Sequence, residues 1–521
     1  MKAQHILLLL FCSHLFISNS YAAALKKKPE LGISAAIEKG RKLIDDKKYR
    51  QSVLYFYNLI YNASDISEPN KLISKYYLGL ALNRSQLYQT ASFSLLSSSL
   101  SSDKKLSNKS FEQLVKAADA LNDQSLLDYS FKKTNIDNIT EIGREYFYNN
   151  LAKISLDASD PKMALSYVDK TLFINPENEE ATYLKGLAYI KQNDNAAARP
   201  ALEKIFHKYE FATAENSQKK DEATVALARA NYNLQNWKTA LDLYRKIPKD
   251  SRLYRQVLLE ISWTYFRSNQ FRSALSTIHS LNTPYYENFY DPESLVLRSI
   301  ILLFICQPSD LEKSISFFNR YYVTAYDSLK EWNSQNYNDE KHFIAVEKVL
   351  KALSKNKNLT KNTTELPYFI FRSILEDPEV RVKVAYLNNI KKEQIALKSK
   401  FNVPAAKNFK NYSNKILNSR IRTVALEVGS LVKNQLQKFE RELSDYITQF
   451  DFINYEYLDL KKNLAAQKTY ETPQEASDGE KETRQFYIQS GFQYYPFEGE
   501  YWRDEIGNYQ YLGKNQCGKN E

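Results

Sequence analysis

Few side chains in this sequence have the spacing that enzyme chemistry requires. Beyond the first 14 residues the only histidines are His207, His279 and His342, which lie far apart in the chain. The zinc-protease pattern HExxH, the hydrolase pattern GxSxG, the phosphate-binding pattern GxxxxGK[ST] and the metal or redox pattern CxxC do not occur in it. We therefore expect no catalytic site, no metal site and no cofactor.

Two pairs of adjacent carboxylates do not change this expectation. Asp504 and Glu505 lie beside Trp502, and carboxylates near an aromatic ring are the groups that cleave glycans. Neighbours in a strand point to opposite faces, so these two do not form an acid and base pair. Asp45 and Asp46 end a predicted helix, where carboxylates are usually solvated. The sequence predicts that the protein is not an enzyme.

Two cysteines, Cys306 and Cys517, remain outside the N-terminal segment. An even pair in an oxidising compartment allows a disulfide, but 210 residues lie between these two. Cys306 falls in an apolar helical stretch, which favours a buried free thiol that packs as a small hydrophobic side chain. The sequence alone leaves the pairing open.

The N-terminus predicts export. Lys2 is followed by the mostly apolar run Ile6–Ile17 and by small residues up to Ala24. This order is typical of a secretory signal, residues 1–24, cleaved after Ala22 or Ala24. The apolar run is shorter than the roughly 20 residues of a membrane-spanning helix, and its cysteine follows a phenylalanine rather than a small residue. We expect a periplasmic protein that is neither transmembrane nor lipidated.

The composition predicts helices. Glycine occurs only 12 times and proline 14 times in 521 residues, against an average glycine share of about 7%. So few turn-forming residues argue against a β-sandwich and against a large α/β enzyme with glycine-rich loops. Charged residues make up 26% and apolar residues 43% of the chain, which excludes wholesale disorder.

A repeat of 34 residues is the strongest pattern in the sequence. Ala164 and Ala198 are 34 residues apart within one recurring motif, and so are Ala240 and Ala274. Residues 106–133 look like a degenerate copy. The small residue of the remaining copies is Ser52, Ala91, Ala164, Ala198, Ala240, Ala274 or Ser314. Regular self-similarity of this period predicts a stack of similar structural units.

The pattern resembles the tetratricopeptide repeat (TPR) family, whose unit is a helix hairpin with the motif W-x₂-L-G-x₂-Y…A-x₃-F…P. The resemblance implies an all-α superhelical solenoid of seven to eight repeats over residues 33–322. Its concave groove would be lined by the first helix of each repeat and would bind peptides or proteins. The groove residues that it implies are Asn83, Arg84, Tyr183, Leu187, Lys191, Arg229, Tyr232, Asn233, Trp263 and Arg267. Alternatively, some of these aromatic residues belong to the core between repeats and the cations are merely solvated.

A long helical arm is predicted within the helical region 339–467. From residue 405 to 467 the chain has no proline and one glycine, Gly429, and its apolar residues recur every three to four positions. Roughly 60 helical residues would measure about 90 Å. A helix of this length needs a partner, so we expect coiled-coil-like packing against the helix ending at Lys398 or against a second chain. The sequence does not decide whether the helix is kinked near Gly429.

The arm is strongly basic. Between Arg381 and Arg441 there are 14 Lys or Arg and three Glu, a balance of +11 that equals the net charge of the whole chain. Such a surface fits anionic lipid head groups, cell-wall polymers or an acidic protein, or it is a solvated face. Nucleic acid is not an expected partner of an exported protein. The cations of interest are Lys391, Lys392, Lys398, Lys400, Lys407, Lys410, Arg420 and Arg422.

The C-terminal part is predicted to be a polar linker, residues 468–485, followed by an aromatic cap, residues 486–521. Gly507-Asn508 is a two-residue β-hairpin signal between aromatic segments. So few residues cannot hold a core alone, so we expect this hairpin to dock on the arm and cap it. A small aromatic platform for a sugar or peptide is the alternative.

These features predict a non-catalytic, exported scaffold or adaptor for protein–protein interactions in a bacterial cell-envelope assembly. The alternative function is a binder of an anionic envelope surface, through the basic arm and the aromatic tail. The expected partners are envelope proteins or peptides, with anionic lipid or cell-wall polymer as the alternative and self-association through the arm. The whole layout is similar to periplasmic TPR proteins of gliding-motility-type machineries.

Overall fold

The computed structural model of this protein describes residues 33–62, 66–123, 125–133, 139–210, 216–286, 289–354, 365–468 and 501–511, together with residues 513 and 517. Every regular element in these ranges is a helix, which confirms the predicted all-α fold class. The predicted signal peptide, the polar linker after residue 468 and the aromatic segment before residue 501 lie outside the described residues.

The first sixteen helices form eight consecutive helix hairpins, each with a first and a second helix. Hairpins 1–4 consist of α1 (Ile33–Asp45), α2 (Tyr49–Tyr61), α3 (Glu68–Arg84), α4 (Tyr88–Ser99), α5 (Lys104–Leu121), α6 (Ser125–Lys133), α7 (Glu141–Asp157) and α8 (Pro161–Ile174). Hairpins 5–8 consist of α9 (Glu179–Lys191), α10 (Asn195–Lys208), α11 (Ser217–Asn233), α12 (Trp237–Tyr244), α13 (Tyr254–Arg267), α14 (Phe271–Leu281), α15 (Pro292–Phe304) and α16 (Pro308–Phe318).

The same left-handed turn joins the two helices of each of these hairpins. In hairpin 4, Ser159 has a φ of 59°, its N–H donates to Leu156 O (3.0 Å), and the Asp160 N–H donates to Ser155 O (2.8 Å). These two bonds form a Schellman motif, which satisfies carbonyl groups at a helix end. The turn residues with positive φ are Lys47, Gln86, Asn122, Ser159, Asn193, Gln235, Asn269 and Cys306.

The turn residues fix the register of the repeats. Five residues after each turn residue, the second helix packs a buried side chain against the first helix. In six hairpins this side chain is small, as predicted: Ser52, Ala91, Ala164, Ala198, Ala240 and Ala274, each fully buried. In hairpin 8 it is Leu311, and the predicted Ser314 lies three residues further along α16. The prediction for hairpin 8 was therefore out of register by three residues.

Five further helices follow the repeats. They are α17 (Thr324–Ser334), α18 (Asp339–Leu353), α19 (Tyr368–Glu376), α20 (Pro378–Lys400) and α21 (Lys407–Lys468). Pro378 and the side chain of Asp377 begin α20, because the Asp377 carboxylate accepts the N–H groups of Glu379 and Val380. The predicted long helix is present as α21, an uninterrupted helix of 62 residues, or about 93 Å at 1.5 Å per residue.

Helices α20 and α21 pack against each other within the chain, and we call this pair the closing hairpin. Lys383 Nζ lies 2.7 Å from a carboxylate oxygen of Glu427, which joins the two helices. Gly429 lies against the backbone of Asp339, at the start of α18, where a Cβ would stand 2.6 Å from the Asp339 carbonyl carbon. The glycine therefore permits a close approach between α18 and an unbroken α21.

The closing hairpin also joins the two ends of the solenoid. Near the start of α21, the Tyr57 hydroxyl of α2 donates to Asn408 O (3.3 Å). Further along it, the Phe450 ring stacks on Phe318 of α16 with centroids 3.7 Å apart. One hydrophobic core contains side chains of hairpins 1–3, of α14–α16 and of α17–α21. Buried side chains of hairpins 4–6 and of α13 belong to separate clusters. The long helix therefore packs against both the first and the last repeats and is not a free arm.

Candidate functional site

The predicted groove residues lie on the first helices α3, α9, α11 and α13. Four of them, Arg84, Lys191, Asn233 and Arg267, each lie two residues before a turn residue and are exposed. Because the turn is the same in each hairpin, these four side chains occupy equivalent places in their repeats. In hairpin 8 the same position holds Phe304, which is 58% exposed.

Other predicted groove residues tie neighbouring hairpins together. Arg229 donates to both carboxylate oxygens of Glu260, at 2.6 and 3.0 Å. Trp263 Nε1 donates to Glu293 (2.8 Å) in the same way, from α13 to the start of α15. The partners are 30 or 31 residues apart, so each bond runs from one first helix to the next. These polar side chains fix the packing of adjacent repeats.

Two phenols lie near the Arg229–Glu260 pair, the buried Tyr244 and the half-buried Tyr183. Burial works against the charge of Arg229, but the hydrogen bonds and charge of Glu260 outweigh it and raise the pKa of the guanidinium. Burial, aided by Glu222, raises the pKa of Tyr183 to about 12, and burial also raises the pKa of Tyr244. Both tyrosines are therefore neutral hydrogen-bonding groups at any physiological pH.

Several of the remaining groove residues are engaged within the solenoid. Asn233 donates to Asn195 Oδ1 (3.0 Å), and Lys191 Nζ donates to Leu156 O of the preceding hairpin. In α3, Asn83 Nδ2 donates to the Gln113 carbonyl oxygen (2.9 Å). Tyr232 lies edge-on to Trp237 at 5.2 Å, and Leu187 is half-buried. These five residues therefore contribute partly exposed surface rather than free hydrogen-bonding groups.

An aromatic patch includes Phe304, the last of the equivalent positions two residues before a turn residue. The patch consists of Trp263, Phe266, Phe271 and Phe304. The Phe271 and Phe304 rings are stacked with centroids 5.6 Å apart, and the Phe266 ring lies 5.9 Å from each of them. Arg267 follows Phe266 directly and forms no hydrogen bond or ion pair within the described part of the chain. A large exposed ring beside a free guanidinium is the composition of a protein-binding hot spot.

Sequence reasoning missed Phe304 for a definite reason. With Ser314 taken as the small residue of hairpin 8, the position equivalent to Arg267 falls on Gln307. The turn at Cys306 places it at Phe304 instead. The residue type gives no signal for this turn, because the turn residue of hairpin 8 is a cysteine, whereas three of the other hairpins have Asn there.

The predicted basic arm divides into structural and exposed cations. Arg420 donates to Tyr386 Oη (2.7 Å) and Ser125 Oγ (2.7 Å) and lies 3.3 Å from Asp123, so it attaches α21 to hairpin 3. Its side chain is only 14% exposed. Lys400 donates to the Ser85 carbonyl oxygen (2.8 Å), and Lys391 pairs with Glu347 of α18 at 3.4 Å. These three cations hold the closing hairpin in place.

The other arm cations face solvent or lie half-buried. No ion pair reaches them from the described residues, so their charge is not compensated locally. They are Lys392, Lys398, Lys407, Lys410 and Arg422.

A basic cleft of about 660 Å³ lies between hairpins 1 and 2 and the end of α20. Of its cations only Lys48 forms an ion pair within the described residues, with Asp46 at 3.1 Å. The cations that line it are Lys47, Lys48, Arg50, Arg84 and Lys400. The cleft and the exposed arm cations both favour anionic ligands.

The C-terminal segment does not form the predicted β-hairpin. Residues Arg503–Glu505 form one 3₁₀ turn, and residues 501–511 contain no strand. The Gly507 N–H donates to Ser280 Oγ (2.8 Å), and the Ile506 side chain, 4% exposed, packs with the core of hairpins 5–7. Asp504 and Glu505 are both exposed. The described part of the tail therefore docks on α13 and α14 and not on the long helix, because those two helices provide its hydrogen-bonding partners.

A disulfide joins this tail to hairpin 8. Cys306 and Cys517 are bonded, with Cα atoms 5.0 Å apart, so the free thiol that the sequence favoured for Cys306 was wrong. Cys306 is buried, as expected, but it is the turn residue of its hairpin, where the docked tail passes. The described residues contain no group of three His, Cys, Asp or Glu side chains that could hold a metal ion.

Comparisons with known proteins give limited information. No protein-family model and no curated protein match the chain. A tetratricopeptide repeat protein from Parabacteroides merdae is similar with a TM-score of 0.27 and 16% identity, over 55% of this chain and 91% of that chain. The apo form of RapI has a TM-score of 0.31 and 11% identity, over 69% and 98%. The TPR domain of P58(IPK) has a TM-score of 0.19 and 13% identity, over 75% and 99%.

These TM-scores are too low to identify the repeat type. We infer it instead from the geometry of the chain itself. Eight antiparallel helix hairpins, a common turn, a buried small residue and spacings of 34 residues are the features of TPR-type repeats. The similarity to gliding-motility-type machineries has no support from these matches and stays a prediction. No helix in the described ranges combines the length and the apolar composition that crossing a bilayer requires.

Proposed function

We propose that this chain is an exported, non-catalytic TPR-type scaffold that mediates protein–protein contacts in a bacterial cell-envelope assembly. The observation that carries the proposal is the aromatic patch of Trp263, Phe266, Phe271 and Phe304 beside Arg267, which is exposed and has no hydrogen-bond or ion-pair partner among the described residues. Two features support export: the predicted signal sequence, and the Cys306–Cys517 disulfide, which is the form that persists in oxidising compartments.

The patch has the physical properties of a partner site. Phe304 is 58% exposed, and covering this exposed part of the side chain stabilises a complex by about 1–2 kcal/mol. Its neighbours Phe266 and Phe271 are already packed, so little side-chain entropy is lost on binding. Arg267 can pair with a carboxylate or a carbonyl group of the partner, which adds orientation. The closing hairpin packs against hairpins 1–3 and against hairpin 8. These contacts fix the position of the repeat that carries Phe304.

The proposal is tested by purifying a tagged copy from solubilised envelopes of its own cell and identifying co-eluting proteins by mass spectrometry. Phe304→Ser with Arg267→Glu should remove a stoichiometric partner that the unchanged protein retains. The matched control is Phe173→Ser, because Phe173 is 90% exposed but lies on α8, outside the patch. A partner that survives the patch variant, or that is lost equally with the control, would contradict the assignment of this surface.

A second candidate function is binding to an anionic envelope surface, such as lipid head groups or a cell-wall polymer. The observation that favours it is the set of uncompensated cations on α20 and α21 together with the basic cleft. Its test reverses the charge of Lys392, Lys398, Lys407 and Arg422, which are exposed and hold no helix in place. This function requires that the variant no longer sediments with phosphatidylglycerol vesicles or cell-wall sacculi, while the patch variant still does.

A further inference from the structure

The basic cleft between hairpins 1 and 2 and the end of α20 has walls that the fold holds in place. Its volume of about 660 Å³ is within the range of small-ligand sites. Phe401, which is fully buried, and the half-buried Leu54 form apolar parts of its wall. Lys400 Nζ donates to the Ser85 carbonyl oxygen (2.8 Å) and to Gln86 Oε1 (3.0 Å), which fixes the end of α20 to the turn of hairpin 2.

The turn of hairpin 1 concentrates positive charge in a way that no other hairpin of this chain does. Counted from the turn residue, its first four positions are Lys47–Arg50, and three of the four are cations. The same four positions of each other hairpin hold either no cation or a single one, which is Lys162, Lys238 or Arg272. The cations of hairpin 1 stand at the N-terminus of α2, where a helix is partly positive and a like charge destabilises it. An anion among them would remove this cost.

A lysine also occupies the capping position of α2. Lys48 is the N-cap residue and offers the helix no side-chain acceptor. In hairpins 4 and 5 the same position holds Asp160 and Asp194, whose carboxylates accept the N–H groups of Met163 and Ala197. The backbone angles at Lys48 (φ −83°, ψ 54°) are close to those at Asp194 (φ −90°, ψ 71°), so an aspartate would fit there. The first residues of α2 line the cleft, so their N–H groups are donors for an anion within it.

The positive charge of the cleft has little local compensation. No carboxylate of the described residues lines it, and the one ion pair that its cations form there joins Lys48 to Asp46 at 3.1 Å. Lys400 binds only neutral oxygen atoms. The other cations of the cleft are exposed and have no hydrogen-bond or ion-pair partner in the described part of the chain, and they are Lys47, Arg50 and Arg84. Four cations therefore face one cavity without an opposing charge from this part of the chain.

We propose that this cleft binds a diphosphate group, with Arg50 and Arg84 as the side chains that pair with its oxygens. Planar guanidinium groups bind phosphate oxygens through two parallel N–H donors. A carboxylate carries one negative charge and a phosphate group about two. A diphosphate group carries about three, which is nearest to the four uncompensated cations. The group belongs either to a soluble ester or to a lipid. The inference is separate from the scaffold function, and with a lipid it deepens the second candidate function.

The experiment uses the full chain and three soluble anions, which are inorganic pyrophosphate, inorganic phosphate and citrate. All buffers have the same ionic strength, because salt screens exposed charges. Isothermal titration calorimetry and the shift in the thermal unfolding temperature measure binding. We expect pyrophosphate to bind with a Kd on the order of 0.1 mM, and about tenfold or more tightly than the other two anions. Citrate has a similar charge, so it separates recognition of phosphate from simple charge attraction.

Two further probes distinguish the sources of the diphosphate group. Uridine diphosphate represents a soluble ester, and farnesyl diphosphate in phosphatidylcholine vesicles represents a lipid. The probe that displaces pyrophosphate at the lower concentration identifies the source. If neither probe displaces it, the proposal is wrong.

The variants separate loss of binding from loss of folding. Arg50→Ala with Arg84→Ala should weaken pyrophosphate binding by about tenfold or more. Lys48→Asp supplies the missing cap, so it should weaken binding as strongly while it raises the unfolding temperature. The matched control is Lys162→Ala, because Lys162 is exposed and occupies the position of Arg50 in hairpin 4. This control should bind pyrophosphate as tightly as the unchanged protein.

Four outcomes would each overturn the proposal. They are equal binding of pyrophosphate and citrate, equal binding of pyrophosphate and phosphate, undiminished binding to either cleft variant, and no binding of pyrophosphate at about tenfold its expected Kd. Sedimentation of the arm variant with phosphatidylglycerol vesicles is a separate measurement that involves no diphosphate. This proposal and the second candidate function can therefore fail independently.

Discussion

Glu393 of α20 caps a helix 303 residues away in the sequence, and its replacement gives a sharp test of how the closing hairpin is attached. The Glu393 carboxylate, 4% exposed, accepts the backbone N–H groups of Gln89 (2.7 Å) and Thr90 (3.0 Å) and the Thr90 hydroxyl (2.8 Å). These N–H groups begin α4, whose own N-cap residue, Leu87, has no side-chain acceptor. Glu393→Ala removes the acceptor of all three donors, and the two backbone N–H groups alone cost about 2–6 kcal/mol at about 1–3 kcal/mol for each.

The pH dependence of the free energy of unfolding gives a second, independent measure of what Glu393 contributes to stability. Burial raises the pKa of Glu393 to about 7 from its ordinary value of 4.5, although the hydrogen bonds from Gln89 and Thr90 act in the opposite direction. A carboxyl whose folded-state pKa is raised binds a proton more tightly in the folded protein. Its contribution to stability is therefore complete below about pH 4.5 and is lost as the pH rises through 7. This difference corresponds to roughly 3 kcal/mol.

The assay is amide hydrogen exchange of α4 peptides, corrected for intrinsic rates, together with urea unfolding between pH 4.5 and 8. Glu393→Gln cannot ionise, so its stability relative to the unchanged protein should rise by roughly 3 kcal/mol across this range. Glu393→Ala should lose protection in α4 at every pH. The matched control is Glu379→Gln, because Glu379 lies on the same helix and is exposed. Parallel pH profiles for the unchanged protein and Glu393→Gln, or full protection of α4 in Glu393→Ala, would refute this reasoning.

Three further predictions concern the attachments of the closing hairpin, the repeats and the tail. Gly429→Ala should lower the free energy of unfolding by about 1–3 kcal/mol, because the new Cβ meets the rigid backbone of Asp339; thermal unfolding measures this. Arg229→Met should lower the free energy of unfolding by about 1–2 kcal/mol, because Glu260 is only 19% exposed and loses its partner. A double-mutant cycle with Glu260→Gln measures the coupling energy of the pair. Cys517→Ser should destabilise the docked tail by about 3–5 kcal/mol, seen as faster hydrogen exchange in residues 501–511.

Each of these predictions has its own control. Ser430→Ala changes the neighbour of Gly429 in α21, so equal losses for the two variants would contradict the close-contact argument. If the Arg229 and Glu260 effects are additive, the pair does not hold hairpins 6 and 7 together. Reduction of the unchanged protein should reproduce the exchange pattern of Cys517→Ser, and a tail that stays protected under reducing conditions would show that its hydrogen bonds suffice.

The helices and the repeat type were predictable from the sequence because both depend on local patterns. Ala240 and Ala274 gave the spacing, and the three- and four-residue stepping of apolar side chains gave α21. The register of hairpin 8 was not predictable, because Leu311 replaces the small residue there and Ser314, three residues further on, matched the pattern falsely. The residues predicted for the groove have two roles that sequence alone does not separate: some bind the next hairpin and others face solvent.

The sequence by itself determined the helical class, the repeat spacing and which faces of the helices are apolar, since these follow from residues a few positions apart. Only the tertiary structure decided that α21 closes the solenoid, that the tail docks on α13 and α14, and that Cys306 pairs with Cys517. These contacts join segments more than 100 residues apart. Which segments meet depends on the summed rotation of the stacked hairpins, and no local pattern records that sum.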